Sequence, residues 1–166
     1  MEITKSIFRE YDIRGIYPEQ INEDVISCIA KAISIKCVDN NVSEICVGRD
    51  GRLSGESLLN ALSKSLSYFG INVQNIGLVT TPLLYFAAKK NKYKSGVMIT
   101  GSHNPKEYNG IKLVINDQPV SGNEILKLIY VDKPIADKSG NVSYIDIKND
   151  YISEVKGNIN FDFKNK

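Results

Sequence analysis

Ser102 and His103, the chain's single histidine, stand side by side in the run Thr100-Gly101-Ser102-His103-Asn104-Pro105. A hydroxyl, an imidazole and an amide on one short segment are the parts needed for group transfer. The oxygen carries the group, and the imidazole titrates near neutral pH without a large shift. The apolar run Gly96-Val97-Met98-Ile99 leads into these residues, which reads as a buried strand ending in an exposed loop. By itself the hexapeptide reads first as an ordinary turn, because Gly, Ser, Asn and Pro all favour tight connections. A serine hydrolase is a further reading of the Ser-His pair. Two features weigh against it: adjacent side chains on an extended loop point apart, and no Gly-x-Ser-x-Gly run is present.

The elements that must position this loop alternate along the chain. A helix is expected from near Asn22, where Val25, Ile26, Ile29, Ala30 and Ile33 recur at helical spacing, closing at Asp39-Asn40-Asn41. Glu44 to Val47 reads as a short buried strand. Ser54 is the expected N-cap of a second helix, with Leu58, Leu59, Leu62, Leu66 and Phe69 on one stripe and Gly70 as its C-terminal stop. Strands are expected at Ile71 to Ile76, Gly96 to Thr100 and Gly110 to Ile115, with a helix from Pro82 between the first two. The segment between the last two strands is too short for a crossover helix, so their pairing should be antiparallel. Short helices are expected at Glu124 to Tyr130 and Ile147 to Lys156. The pattern implies an α/β fold: three layers, α/β/α, around a mixed, mostly parallel sheet of about four strands, the last antiparallel. Residues 1–156 read as one domain and 157–166 as a linker or the truncated start of the next.

Four other segments carry information beyond the hexapeptide. Phe8-Arg9-Glu10-Tyr11-Asp12-Ile13-Arg14-Gly15 gathers two arginines and a tyrosine before a glycine, and Gly48-Arg49-Asp50-Gly51-Arg52-Leu53-Ser54 follows the first strand. Thr80-Thr81-Pro82-Leu83-Leu84-Tyr85-Phe86-Ala87 opens a helix, and Tyr108-Asn109-Gly110-Ile111-Lys112 follows the hexapeptide. Together, in this order and spacing, the five segments resemble the α-D-phosphohexomutase superfamily, and its phosphomannomutase/phosphoglucomutase branch in particular.

The resemblance implies a phosphoserine at Ser102 that exchanges its phosphate with a hexose monophosphate through a bisphosphorylated sugar, interconverting hexose 6-phosphate and hexose 1-phosphate. Such a transfer needs positioning and charge neutralisation more than covalent help. A phosphoserine carries about −1.5 to −2 charges, so neighbouring cations are required. Arg14 offers a bidentate phosphate contact, with Tyr11 lining the same pocket. Lys112 would stand beside the reacting oxygen as electrostatic stabiliser or, with a lowered pKa, as proton acceptor; its bland alternative is a salt-bridged surface lysine. His103 is open between two readings, a hydrogen-bond partner or proton carrier at the sugar hydroxyl and a brace for the loop. Gly101 would let backbone N–H groups approach the phosphate, and Asn104-Pro105 would stiffen the loop. Arg9, Arg49 and Arg52 are assigned to structure, with an Arg49–Asp50 or an Arg52–Asp50 pairing holding the turn. Tyr85 and Phe86 are assigned to the core.

The resemblance also implies Mg²⁺, bound through the phosphate of Ser102 and through aspartates of an Asp-Gly-Asp-x-Asp run. That run is absent here, as are the family's Gly-Glu-x-Ser-Gly-His sugar loop and its Arg-x-Ser-Asn-type loop for the distal phosphate. The expected partners are hexose phosphates, a hexose bisphosphate and the missing domains II–IV of the same enzyme, without which the isolated chain should be nearly inactive. A non-catalytic phosphate-binding or domain-interaction module from a split or decayed gene is the alternative. A slow phosphatase is a weaker one.

Composition adds limits. A net charge of +2 over 166 residues, with scattered lysines, gives no nucleic-acid footprint, and no apolar stretch approaches a membrane span. Cys28, Cys37 and Cys46 lack C-x-x-C spacing and read as free thiols of a cytoplasmic protein.

Overall fold

The computed structural model describes residues 3–133 and 138–159. A 3-10 turn, Lys5–Ile7, precedes β1 (Ile13–Ile16), α1 (Glu23–Asp39), β2 (Glu44–Arg49), α2 (Gly55–Tyr68), β3 (Asn72–Leu78) and α3 (Thr81–Lys90). β4 (Gly96–Ile99), β5 (Tyr108–Ile115), β6 (Gln118–Val120), α4 (Gly122–Ile129), β7 (Val142–Tyr144) and α5 (Lys148–Asn158) follow.

The strands form one seven-stranded sheet in the order β1-β5-β4-β2-β3-β7, with β6 pairing to the end of β5. β2 pairs parallel to β3 and β4, and β3 parallel to β7. β5 is antiparallel to β1, β4 and β6, so it is the single described strand that runs against the rest. The mixed, mostly parallel sheet therefore stands, and β4 returns into β5 antiparallel as the short connection demands. The expected count of about four strands is corrected to seven. The additional three are short and lack an apolar run. β1 is Ile-Arg-Gly-Ile, β6 is the three residues Gln-Pro-Val, and β7 is a fully exposed Val-Ser-Tyr on the sheet edge.

Alternation along the buried strands separates two cores. Ile45 and Val47 of β2 and Val97 and Ile99 of β4 point to the face covered by α1, α2 and α4. Cys46 and Met98 point to the opposite face, where Leu84 and Ala87 of α3 and Ile147 meet them. Fully buried Ile26, Ile29, Ile33, Leu58, Leu62 and Leu66 fill the first core, each worth about 1.5–3 kcal/mol relative to exposure. The three cysteines are free, and burial pushes the thiols of Cys37 and Cys46 up to about 12.

Helix ends follow local chemistry. The Asn22 side chain accepts from Val25 N at 3.0 Å and starts α1. Gly70, at φ 88°, closes α2: its N–H donates to Ser67 O and Ile71 N–H donates to Leu66 O. α4 begins with a reciprocal Ser121–Glu124 capping box. Tyr85 departs from its core assignment, being 42% exposed, whereas Phe86 packs edge-to-face on Tyr151 of α5 at 5.3 Å. The expected domain boundary at residue 156 falls inside α5, and residues 160–166 of the expected linker lie outside the described residues. No helix among the described residues is long and apolar enough to cross a membrane.

Candidate active site

Parallel α/β sheets place functional loops at the carboxyl ends of their strands. Here the segments after β2 (Asp50–Ser54), β3 (Val79–Thr80) and β4 (Thr100–Glu107) meet at that edge. Backbone bonds lock them together: Asp50 N donates to Ile99 O at 3.0 Å and Val79 N to Arg49 O at 2.9 Å. A cleft of about 560 Å³ opens there, lined by Asp50, Gly51, Thr80, Ser102 and Lys148 among others. A larger cleft of about 930 Å³ lies beside Arg52, Ser54, Asn104 and Lys106, and Ser102 is not among its lining residues. Ser102 therefore lines the smaller of the two clefts.

Ser102 is exposed and left-handed, at φ 55°. For a non-glycine residue this conformation needs local support. Its N–H donates to Thr100 Oγ1 at 2.9 Å, and that hydroxyl donates to Asp50 Oδ2 at 2.7 Å. The turn brings Ser102 Oγ within 3.4 Å of His103 Nδ1. The expectation that these neighbours point apart is thereby corrected, since it assumed an extended backbone. Among the described hydrogen bonds, none joins a carboxylate to the His103 ring, the third contact of a hydrolase triad.

Arg52 accounts for much of the loop's shape. Its guanidinium donates to the carbonyls of Ser102, Asn104, Pro105 and Tyr108 at 2.6–3.0 Å, and Nε donates to Asp50 Oδ2 at 3.3 Å. The structural assignment through Asp50 agrees with this geometry. The close approach at Gly101 is to Arg52, since a Cβ there would stand 2.3 Å from Arg52 Cζ. Asn109 is fully buried and donates to Ser54 Oγ at 2.8 Å. Ser54 is the N-cap residue of α2, as expected, but its hydroxyl makes no cap bond to the helix and accepts from Asn109 instead.

Arg14 on β1 donates to Asn104 Oδ1, which joins it to the loop. Asp12, 8% exposed, sits between two cations, with Oδ1 3.5 Å from Arg14 Nε and Oδ2 3.4 Å from Lys112 Nζ. Among the described residues, Asp12 Oδ1 and Arg14 Nε are the buried side-chain polar atoms without a hydrogen-bond partner, and they face each other as an ion pair. Close approach of β1 and β5 makes this cluster possible, because Gly110 leaves room where a Cβ would lie 2.0 Å from Ile13 O. Ser102, His103, Arg14 and Lys112 thus fall into one connected region. Tyr11 does not join it by any described hydrogen bond: its side chain is 79% exposed, in the turn closed by the Phe8–Ile13 bridge.

Asp12, Thr100 and Asn109 escaped assignment from sequence, and Asp50 was legible only as a partner of its neighbouring arginines. Each lies inside a segment that drew attention, yet each has a partner 50 or more residues distant, and no local pattern encodes such a pairing. Among the described residues there is no group of three His, Cys, Asp or Glu side chains able to hold a metal ion.

The family described as phosphoglucomutase/phosphomannomutase, alpha/beta/alpha domain I, matches residues 5–131. A phosphoglucomutase of Neisseria gonorrhoeae is 43% identical over 161 residues, covering 95% of this chain and 35% of its own length. A phosphomannomutase/phosphoglucomutase of Pseudomonas syringae pathovar tomato is 39% identical over 156 residues, covering 93% and 34%. A crystal structure of a phosphoglucomutase/phosphomannomutase family protein from Burkholderia thailandensis superposes with a TM-score of 0.89 at 33% identity, covering 97% of this chain and 37% of that one. The chain thus spans about a third of the length of the curated relatives it matches. The chain belongs to the phosphoglucomutase/phosphomannomutase family and carries its α/β/α domain I.

Proposed function

We propose that the chain is the phosphoserine domain of a phosphohexomutase, with Ser102 as the phosphate carrier between the two ends of a hexose phosphate. The observation that carries this reading is the presentation of Ser102: exposed, left-handed, on a braced loop that Arg14 joins through Asn104, with Lys112 linked to Arg14 through Asp12. Residues 1–156 form the domain in this reading, and 157–166 lead towards the remaining domains II–IV.

In the transfer, the bond between Ser102 Oγ and phosphorus breaks as a hexose hydroxyl oxygen bonds to that phosphorus. The hydroxyl proton leaves to a base, and the serine oxygen keeps the electron pair of the broken bond. The return step reverses these changes at the other end of the sugar. His103, 3.4 Å from Ser102 Oγ, is placed to hydrogen-bond the phosphoryl group or carry the proton. Lys112 and Arg14 offset the charge that develops. The Lys112–Asp12 pair favours Lys112 as a fixed cation over Lys112 as proton acceptor. Tyr11, exposed beside this group, is available to a sugar phosphate arriving from solvent.

The family resemblance implies Mg²⁺ at the serine phosphate. The described residues do not fit that ion by themselves, since no group of three His, Cys, Asp or Glu side chains able to hold a metal accompanies Ser102. Hexose phosphates and a hexose bisphosphate are the proposed ligands. We place the protein in the cytoplasm on the strength of its three free cysteines.

Intact-mass measurement tests the carrier role. Incubation with a hexose 1,6-bisphosphate should yield a species heavier by one phosphoryl group mapped to Ser102, and Ser102→Ala should abolish it. Uptake at another residue would remove Ser102 from the role. No uptake, combined with retained sugar-phosphate binding, would leave a phosphate-binding module. Normal mutase turnover by the purified chain would overturn its expected inactivity.

A further inference from the structure

Arginine at a phosphate-handling edge is ordinarily read as a phosphate ligand. Arg52 is spent differently. A guanidinium has five N–H donors and no acceptor. Arg52 Nε donates to Asp50 Oδ2, Nη1 to the carbonyls of Pro105 and Tyr108, and Nη2 to those of Ser102 and Asn104, which occupies all five. The guanidinium lies where a side chain at residue 101 would begin, so the loop is wrapped around it. We infer that Arg52 is the positioning residue of the reactive loop, holding Ser102 in its left-handed, outward conformation rather than binding the phosphate.

Asp50 completes the device. One carboxylate oxygen accepts from both Arg52 Nε and Thr100 Oγ1, the other accepts from Arg52 N, and Thr100 Oγ1 in turn accepts the Ser102 N–H. The backbone of Ser102 is therefore gripped at both ends, its N–H through Thr100 and its carbonyl by Arg52 directly. Neither grip touches Oγ, which remains free to carry a group. Arg52 lies 50 residues before Ser102, so the β2–α2 segment dictates the geometry of a loop between β4 and β5. Lysine cannot replace it: an ammonium has three donors and cannot span four carbonyls and a carboxylate.

This inference rests on the carrier role of Ser102 only for its functional meaning; its geometry is measurable without phosphate. The test is NMR on the chain, reading the HN–Hα coupling and Cα/Cβ shifts of Ser102, with amide hydrogen exchange over residues 101–109. In Arg52→Lys the Ser102 signals should leave the left-handed range, and exchange across the loop should rise by about tenfold or more while α1 amides are unmoved. Millimolar guanidinium should restore the wild-type signature in Arg52→Ala and leave Arg52→Lys unrepaired. Gly101→Ala keeps Arg52 but expels its guanidinium, and should reproduce the Ser102 change, so a folding failure of one variant leaves the other to decide. A Ser102 conformation unchanged in either folded variant would overturn the assignment. A general fold-stabilising role would lower Tm without altering the Ser102 signature, and that result would also overturn it. Absence of phosphate uptake at Ser102 in the wild type would sink the carrier role while leaving these signals intact, so the two failures are distinguishable.

Discussion

Asp12 shows how much depends on a residue with no chemistry of its own to perform. Its nearly buried carboxylate accepts two cations from different strands, and removing its charge strands both. Breaking such a partly desolvated arrangement is costly because two half-buried cations lose the counter-ion they share. Asp12→Asn should therefore lower stability by about 3 kcal/mol, measured by urea unfolding, and should loosen Arg14 from Asn104. The sequence made Arg14 and Lys112 legible as cations, because charge type survives translation into structure, and the fold brings them together at Asp12. It could not show that they share one counter-ion, because a contact between residues 12 and 112 has no local signature. The same limit hid Arg52. Its pairing with Asp50 was readable at a separation of two residues, while its bonds to the loop 50 to 56 residues distant were not.

Elements were legible in proportion to their apolar periodicity. α1, α2 and the buried strands have runs or stripes that survive on one face, and these were placed correctly. β1, β6 and β7 are strands because neighbours recruit them, through ladders that their own residues do not announce. α4 stands between the two cases: its capping box is local, while its anchor to α1 is the Lys36–Glu124 bond at 2.8 Å. That bond, followed by the Ser121 N–H, holds the Glu124 carboxyl below its ordinary value of 4.5. A lowered folded value means that the charged form is favoured by folding. The contribution is therefore fully present above pH 4.5 and disappears as pH falls through the folded value. Glu124→Gln should flatten that part of the stability–pH curve in urea titrations between about pH 3 and 6, and an unchanged slope would exclude Glu124 as its source.

Across the molecule the two helical layers are unequal. The layer of α1, α2 and α4 closes over a large cluster, whereas α5 has no buried residue of its own and rests on α3 through the Phe86–Tyr151 contact. Local opening follows buried apolar contact. Amides of α5 should exchange faster than those of α1 by at least about a hundredfold, and Tyr151→Ala should widen the gap without changing exchange in α1. Protection of α5 equal to that of α1 would contradict this layering.

The trio at β1 and β5 has a consequence in net charge. Asp12 supplies one negative charge against the two positive charges of Arg14 and Lys112, so this partly buried corner of the fold carries an uncompensated positive charge. Folding concentrates that excess and the unfolded chain disperses it, so the native state alone is offered relief by a multivalent anion. Phosphate or sulfate should raise Tm above chloride at matched ionic strength, and Lys112→Gln should shrink the difference. The protein's stability would then report the charge balance at this corner of the sheet.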